Sequence, residues 1–256
     1  MIVLDTRDIV SGLKTLECVA IISRVSSTNL VARRIVTECI ENDVALPQGI
    51  IVAGEQFAGR GRNERSWSSP PGKGIYASTL LSRPVAELGA VPFVIANVIS
   101  SFFRDIYAVD AQIKWPNDIL VQGKKIAGIL IEARIQDERT YLIIGTGLNI
   151  EPVEGDDRPN SVSLKESSPR GFTGIEDATK AFIQFMDERL SVPFDTPRVL
   201  EEWRSHAVHR DGDRVECVIG DRNVSGTWGG IDEHGRALLR SGGETIEVSA
   251  GDLIMA

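Results

Sequence analysis

Cysteine is scarce: Cys18, Cys39 and Cys217 are the only three in 256 residues. They form no CxxC pair and no even set, which excludes a disulfide framework and cysteine-held structural zinc and fits a reducing compartment. Histidine is equally sparse. His206, His209 and His234 all lie in the last fifth of the chain, with no HExxH or GxSxG segment anywhere. A histidine triad or histidine metal centre in the main body is thereby excluded, and the His206/His209 pair reads as surface linker. No long apolar run exists either. The longest uncharged stretch, 88–103, is interrupted by Pro92, Asn97, Ser100 and Ser101 and is shorter than the roughly 20 residues of a membrane span. It reads as a buried helix beginning near Pro92. The opening MIVLDTRDIV carries acids where an export signal needs basic residues, so a soluble, cytoplasmic protein is expected. Positive charge is in the minority, with 28 lysines and arginines against 36 acids and a net charge of −8. That balance disfavours nucleic acid as a partner.

What is present is ordinary globular material, 42% apolar and 25% charged, so the chain should fold around one sizeable core. Thr28 or Asn29 can open a helix that runs to about Glu41, and 50–54 reads as a buried strand. The segment 54–74 is a long loop with five glycines, two prolines and four basic residues, expected to be mobile and functional. Strand character returns at 75–81, followed by the helix from Pro92 to Tyr107. A β-rich block then covers 112–115, 119–122, 125–134 and 140–150, with hairpin turns at 122–124 and 136–138. A polar stretch at 151–174 precedes a helix over 175–190, where Phe182, Phe185, Met186 and Leu190 recur at helical spacing. From 211 onward, short apolar runs at 215–219, 224–228, 237–240 and 245–248 alternate with glycine turns, the pattern of a small β-barrel. Two domains are expected, 1–205 and 211–256.

Two clusters carry chemistry. GEQFAGRGR at 54–62 has the frame of a P-loop, but Arg60 stands where the lysine belongs and Gly61 where the hydroxyl belongs, so a Walker nucleotidase is excluded. GTGLNI at 145–150 likewise fails the dinucleotide fingerprint. Arg60, Arg62 and Arg65 on a glycine-rich loop suit anionic oxygens; the alternative is a plain solvated loop. The second cluster is Lys114-Trp115-Pro116-Asn117-Asp118 with Lys124-Lys125, which gathers three of the seven lysines into twelve residues. It reads either as a charged rim at strand ends or as a turn with charged flanks.

Taken together, Ser26-Ser27-Thr28-Asn29, Gln56 with Gly59-Arg60-Gly61-Arg62, Trp67-Ser68-Ser69-Pro70, KWPNDI at 114–119, KIAGILIE at 125–132, GTGLNI and Ser161-Val162-Ser163-Leu164 resemble the biotin protein ligases over residues 23–252. The resemblance implies an α+β fold. A mixed β-sheet flanked by helices, akin to the class II aminoacyl-tRNA synthetase core, would carry a small C-terminal Src-homology-3-like β-barrel. It also implies a two-step reaction in which biotin is activated by Mg-ATP to biotinyl-5'-AMP and passed to a lysine of the biotin carboxyl carrier protein of a carboxylase. On this reading Lys125 contacts the biotin carboxylate and the adenylate phosphate, while Arg60 and Arg62 hold phosphates. Ser27, Thr28 and Gln56 hydrogen-bond the ureido head, and Gly59, Gly128, Leu130 and Gly145 shape the biotin wall. Gly61, Lys114 and Asn117 belong to the nucleotide side, Asp118 to nucleotide and Mg²⁺, and Asn149 to adenine. Trp67 closes over the nucleotide or simply packs. Glu64 departs from a frequent glycine of the family loop. Only 25 residues precede Ser26, too few for a DNA-binding module, so the monofunctional type is expected, as monomer or homodimer, without membrane or nucleic-acid partner. A lipoyl or octanoyl ligase, and a catalytically dead biotin sensor, are the rival readings.

Overall fold

The computed structural model describes residues 9–63, 65–153, 160–219, 222–249 and 251–255. Glu64, the first eight residues of the N-terminal segment and part of the polar 151–174 stretch lie outside them. A seven-stranded sheet organises the main body in the order β1-β2-β3-β7-β6-β5-β4. Its strands are β1 Cys18–Ile22, β2 Gly49–Ala53, β3 Gly74–Pro84, β4 Ala111–Lys114, β5 Asp118–Val121, β6 Lys124–Gln136 and β7 Arg139–Asn149. β1 and β2 run parallel, joined by helix α1, Thr28–Glu41; every other neighbouring pair is antiparallel. The sheet is therefore mixed, as the resemblance implied. β1 was not foreseen, because its half-exposed CVAII gives no clean alternation.

Each face of the sheet has its own cover. On one side α1 sets Ala32, Val36 and Cys39 against Ile51, Leu80 and Ile143. The other side packs against α2 Val91–Ser101 and α4 Ile175–Leu190. Ten of the eleven α2 residues are buried, the mark of a helix enclosed on all sides. It continues as a π-helical stretch, Phe102–Ile106, where the Phe102 ring meets Phe103, Tyr107, Phe182 and Phe185 edge-on at 5.3–5.8 Å. Two further helices were not anticipated. The single turn α3, Leu164–Ser167, is opened by a Ser163/Glu166 capping box, and α5, Thr196–His206, is capped by Asp195. No helix among the described residues is long and apolar enough to cross a membrane.

The C-terminal unit is a five-stranded antiparallel sheet ordered β11-β10-β9-β8-β12. It comprises β8 Arg214–Ile219, β9 Arg222–Ile231, β10 Ala237–Ser241, β11 Glu244–Val248 and β12 Asp252–Met255, the last unforeseen. Its interior is continuous with that of the main body: Val215, Trp228, Leu239 and Leu253 belong to the same hydrophobic cluster as Phe93, Trp115 and Trp203. Gly235 makes the closest approach. Its φ is +80° and a Cβ there would stand 2.1 Å from the Phe93 ring, while its carbonyl accepts the Trp115 indole N–H at 3.3 Å.

His209 corrects the surface-linker reading. It is 4% exposed; its ring lies 4.6 Å from that of Trp228, and its Nε2 accepts the Trp115 backbone N–H at 3.2 Å. Burial, reinforced by the Lys114 charge and opposed by Asp213, pushes the imidazole down to about 4. His206 ends α5, with Nδ1 2.9 Å from the Glu202 carbonyl.

Candidate active site

Strand alternation and one irregularity assemble the site. Gly128, Leu130 and Glu132 of β6 share a face, and the register sets Gly128 beside Gly147 and Leu130 beside Gly145 on β7. In a regular strand Lys125 would point to the opposite face from Gly128. The β5–β6 register, however, shifts between Ile119/Ala127 and Leu120/Lys125, so Ile126 is the extra residue of a bulge. Lys125 thereby joins Gly128: a Cβ on Gly128 would stand 3.1 Å from Lys125 Cε. Residues 160–162 clip the bulge, Lys125 N–H donating to Asn160 O and Val162 N–H to Lys125 O.

The resulting cavity, about 140 Å³, is lined by Ser27, Thr28, Gln56, Arg60, Gly61, Arg62, Trp67, Asn117, Asp118, Lys125, Gly128, Leu130 and Gly145, all singled out in the sequence. Asn29, Arg65, Ser66 and Gly147 line it as well. Asn149 lines a second, smaller cavity with Lys73, Tyr76 and Glu166. Gly59 lies in a shallow depression with Phe57 on the outer side of the loop. Lys114 lines none of these; it ends β4 in register with Asp118.

One end of the cavity is charged. Lys125 Nζ is 2.6 Å from Asp118 Oδ1, with the two side chains 33% and 25% exposed, and 5.1 Å from the centre of the Trp67 ring. Arg62 Nη1 donates at 3.1 Å to both Asn117 Oδ1 and the Gly251 carbonyl. Asn117 in turn is pinned to β6, its Nδ2 donating to Ile129 O at 2.8 Å. The 54–74 loop has internal backbone pairing. It doubles back on itself, Trp67 N–H reaching Gly59 O and Gly61 N–H reaching Arg65 O. Its Trp67 indole lies on glycine, since a Cβ at Gly147 would come within 2.4 Å of it and one at Gly128 within 2.9 Å. Trp67 Nε1 is buried without a partner among the described residues.

The other end is neutral. Thr28 N–H donates to Gln56 Oε1 at 2.8 Å, and Gln56 Nε2 donates to Ser69 Oγ at 2.9 Å. Ser78 Oγ lies 2.7 Å from Thr28 Oγ1 and 2.6 Å from Asn29 Oδ1. Among the described residues no group of three histidines, cysteines or carboxylates is placed to hold a metal. A single carboxylate, Asp118, suits Mg²⁺ arriving on nucleotide phosphates, because that ion keeps most of its water and takes one or two protein oxygens.

A cavity in a mixed sheet with hydrogen-bonding amides and hydroxyls among its lining, together with Lys125, Arg60, Arg62 and Arg65, suits a ligand that pairs a neutral polar group with anionic oxygens. The profile of the Biotin/lipoate A/B protein ligase family matches residues 22–149. A Mycobacterium tuberculosis biotin–[acetyl-CoA-carboxylase] ligase is 28% identical over 212 residues, covering 80% of this chain and 78% of its own. Its Paracoccus denitrificans namesake is 31% identical, covering 74% and 83%. The Aquifex aeolicus biotin protein ligase structure in complex with biotin and ATP superimposes with a TM-score of 0.71 at 25% identity, over 93% of this chain and 99% of that one. The chain belongs to the biotin/lipoate A/B protein ligase family, on its biotin protein ligase branch. It spans 62% of a Bacillus spizizenii relative described as a bifunctional ligase/repressor.

Proposed function

We propose that the cavity activates biotin with Mg-ATP and hands the biotinyl group to a lysine of a biotin carboxyl carrier domain, with 1–205 as the catalytic unit and 211–256 as the barrel unit. The observation that carries this reading is the bulge that turns Lys125 into the cavity beside Asp118, Trp67 and Arg62. Two anions must meet before they react, so fixed cations matter more here than a nucleophile of the protein's own.

In the first step a biotin carboxylate oxygen attacks the α-phosphorus of ATP, the bond to the bridging oxygen breaks, and pyrophosphate leaves with its electrons. Lys125 offsets the repulsion between carboxylate and phosphate, while Arg60 and Arg62 hold phosphate oxygens. Ser27, Thr28 and Gln56 orient the ureido ring; Gly128, Leu130 and Gly145 shape its wall. In the second step a neutral lysine amine of the carrier attacks the acyl carbon, AMP leaves, and the amine proton passes to solvent. Asp118 and Asn117 serve the nucleotide side with its Mg²⁺; Asn149, in the adjoining cavity, serves adenine. Trp67, packed on Gly147, excludes water from the labile anhydride. Three cysteines that form no CxxC pair and no even set support a cytoplasmic site of action, and the net charge of −8 supports a protein without a nucleic-acid partner.

The test is pyrophosphate release driven by biotin, compared with lipoate and octanoate. Release with biotin alone is expected. Equal or greater release with lipoate or octanoate would move the protein to the other branch, and binding of biotin without release would make it a sensor.

A further inference from the structure

The neutral end of the cavity is wired to a charge some distance away. Glu132, on the same face of β6 as Gly128 and Leu130, accepts the Asn29 amide through Oε1 at 3.0 Å. Its other oxygen accepts the Arg33 guanidinium, which engages it through both Nε and Nη2. Asn29, Thr28 and Ser78 are 4%, 3% and 0% exposed, so each hydroxyl proton among them has a definite place to be.

The hydrogen positions follow from donor and acceptor counting. A carboxylate only accepts, so the Asn29 NH₂ must face Glu132 and the Asn29 carbonyl oxygen must face Ser78. That oxygen only accepts, so the single Ser78 proton is spent on the 2.6 Å bond to it. The 2.7 Å contact between Ser78 Oγ and Thr28 Oγ1 then takes its proton from Thr28. Thr28 has none left for Gln56 Oε1, which stands 3.2 Å from its hydroxyl and is itself fixed as an acceptor by the Thr28 backbone N–H. Two acceptor oxygens therefore flank each other at the cavity wall with no proton between them, an arrangement relieved by an N–H brought from outside.

We infer that Arg33 and Glu132, which line no part of the cavity, are positioning residues that set the hydrogen-bond polarity of Thr28 and Gln56 so that the site takes a cyclic urea with N–H donors and refuses acids whose head groups have none. This rests on the function proposed above and deepens it, by giving a physical reason for biotin over lipoate or octanoate. The pair is partly exposed and adds little to stability. Its effect is directional. A glutamine at 132 can offer NH₂ to Asn29, let that amide turn over, and send each proton the other way along the chain to Thr28, closing the gap with Gln56.

The test uses Glu132→Gln and Ser78→Ala in the full chain. Biotin affinity is measured by calorimetry without nucleotide, and KM values by pyrophosphate release. The probes are biotin and its analogues methylated at each ureido nitrogen in turn. Wild type is expected to bind at least one methylated analogue about a hundredfold more weakly than biotin. Both variants should bind biotin roughly tenfold more weakly and lose most of that discrimination, with the ATP KM within about twofold. Should Glu132→Gln fail to fold, Ser78→Ala, which removes one hydroxyl, carries the test alone. Unchanged affinity and undiminished discrimination in the folded variants would overturn the polarity argument by itself. A wild-type protein that neither binds biotin nor releases pyrophosphate with it would overturn the proposed function and this inference together.

Discussion

The two ends of the cavity are built on opposite principles. At the neutral end, Thr28, Asn29, Gln56, Ser69 and Ser78 bind one another through short, interlocked hydrogen bonds, rooted in a helix, a strand and a folded loop. At the charged end Lys125, Arg60 and Arg62 sit on a bulge and a loop, with partners that belong to separate parts of the chain: Asp118, Asn117 and the carbonyl of Gly251. A neutral ring is recognised by geometry, so its contacts must already be in place. Polyanions are recognised by field, which tolerates movement and depends on where charge can be released from existing pairs. The difference teaches that binding and chemistry are separable here.

The sharpest way to break the comparison is Lys125→Ala. It should cut adenylate formation by about a hundredfold or more, the order of 3 kcal/mol typical of a lost transition-state charge contact, while biotin affinity without nucleotide falls far less, because the ureido contacts remain. Adenylate formation near the wild-type rate would show that the charged end needs no cation on the bulge.

The next effect falls on the support behind the charged end. His209 titrates near 6.5 when unfolded and at about 4 when folded, so the unfolded chain binds more protons between those values. Its share of stability is complete above about pH 6.5 and is lost as pH falls through 4, about 3 kcal/mol in all, of which roughly 2–3 kcal/mol falls between pH 7.5 and 4.5. Urea unfolding at pH 7.5 and 4.5 measures it. His209→Gln, which retains an acceptor for Trp115 N–H, should flatten the pH dependence by about that amount, and an unaltered slope would refute it.

A smaller effect is expected where Trp67 rests on glycine. Gly147→Ala puts a methyl 2.4 Å from the indole and should cost about 1–2 kcal/mol, a fall of several degrees in Tm, with displaced Trp67 fluorescence and a raised ATP KM. An unchanged melt and spectrum would mean that the indole moves aside without penalty. The smallest effect concerns the loop. Limited trypsin digestion should cut after exposed Arg60 in preference to Arg62, which Asn117 and Gly251 hold, and biotin with Mg-ATP should slow that cut several-fold. Cleavage equal in both states would remove loop closure from the account.

Much of this was legible in the chain because local chemistry writes it there. Turn residues at 122–124 and 136–138 bounded the hairpins, and both turns carry positive φ, at Gln122, Gly123 and Asp137. The apolar stretch from Leu88 announced α2, and the GRGR and KWPND segments marked the cavity walls. What stayed hidden depends on pairing between distant residues. The bulge at Ile126 is a property of two strands in register, invisible in either alone. Glu132 meets Asn29 across 103 residues and His209 meets Trp115 across 94. The flanking polar residues looked like solvated surface because nothing local states what will cover them. β1 escaped notice for the converse reason: an edge strand with both faces half wet shows neither alternation nor a solid apolar run.

The unbroken hydrophobic cluster from Phe93 and Trp203 through Trp115 into Trp228 and Leu239 bears on how such a protein can be inherited. A barrel closed around its own interior can be shuffled between genes as a self-sufficient part. This one completes its interior with aromatic rings supplied by its neighbour, and Gly235 leaves no room even for a methyl against Phe93. Any host that received it would need a matching surface already prepared. A change of volume at the seam is therefore felt by both sheets at once.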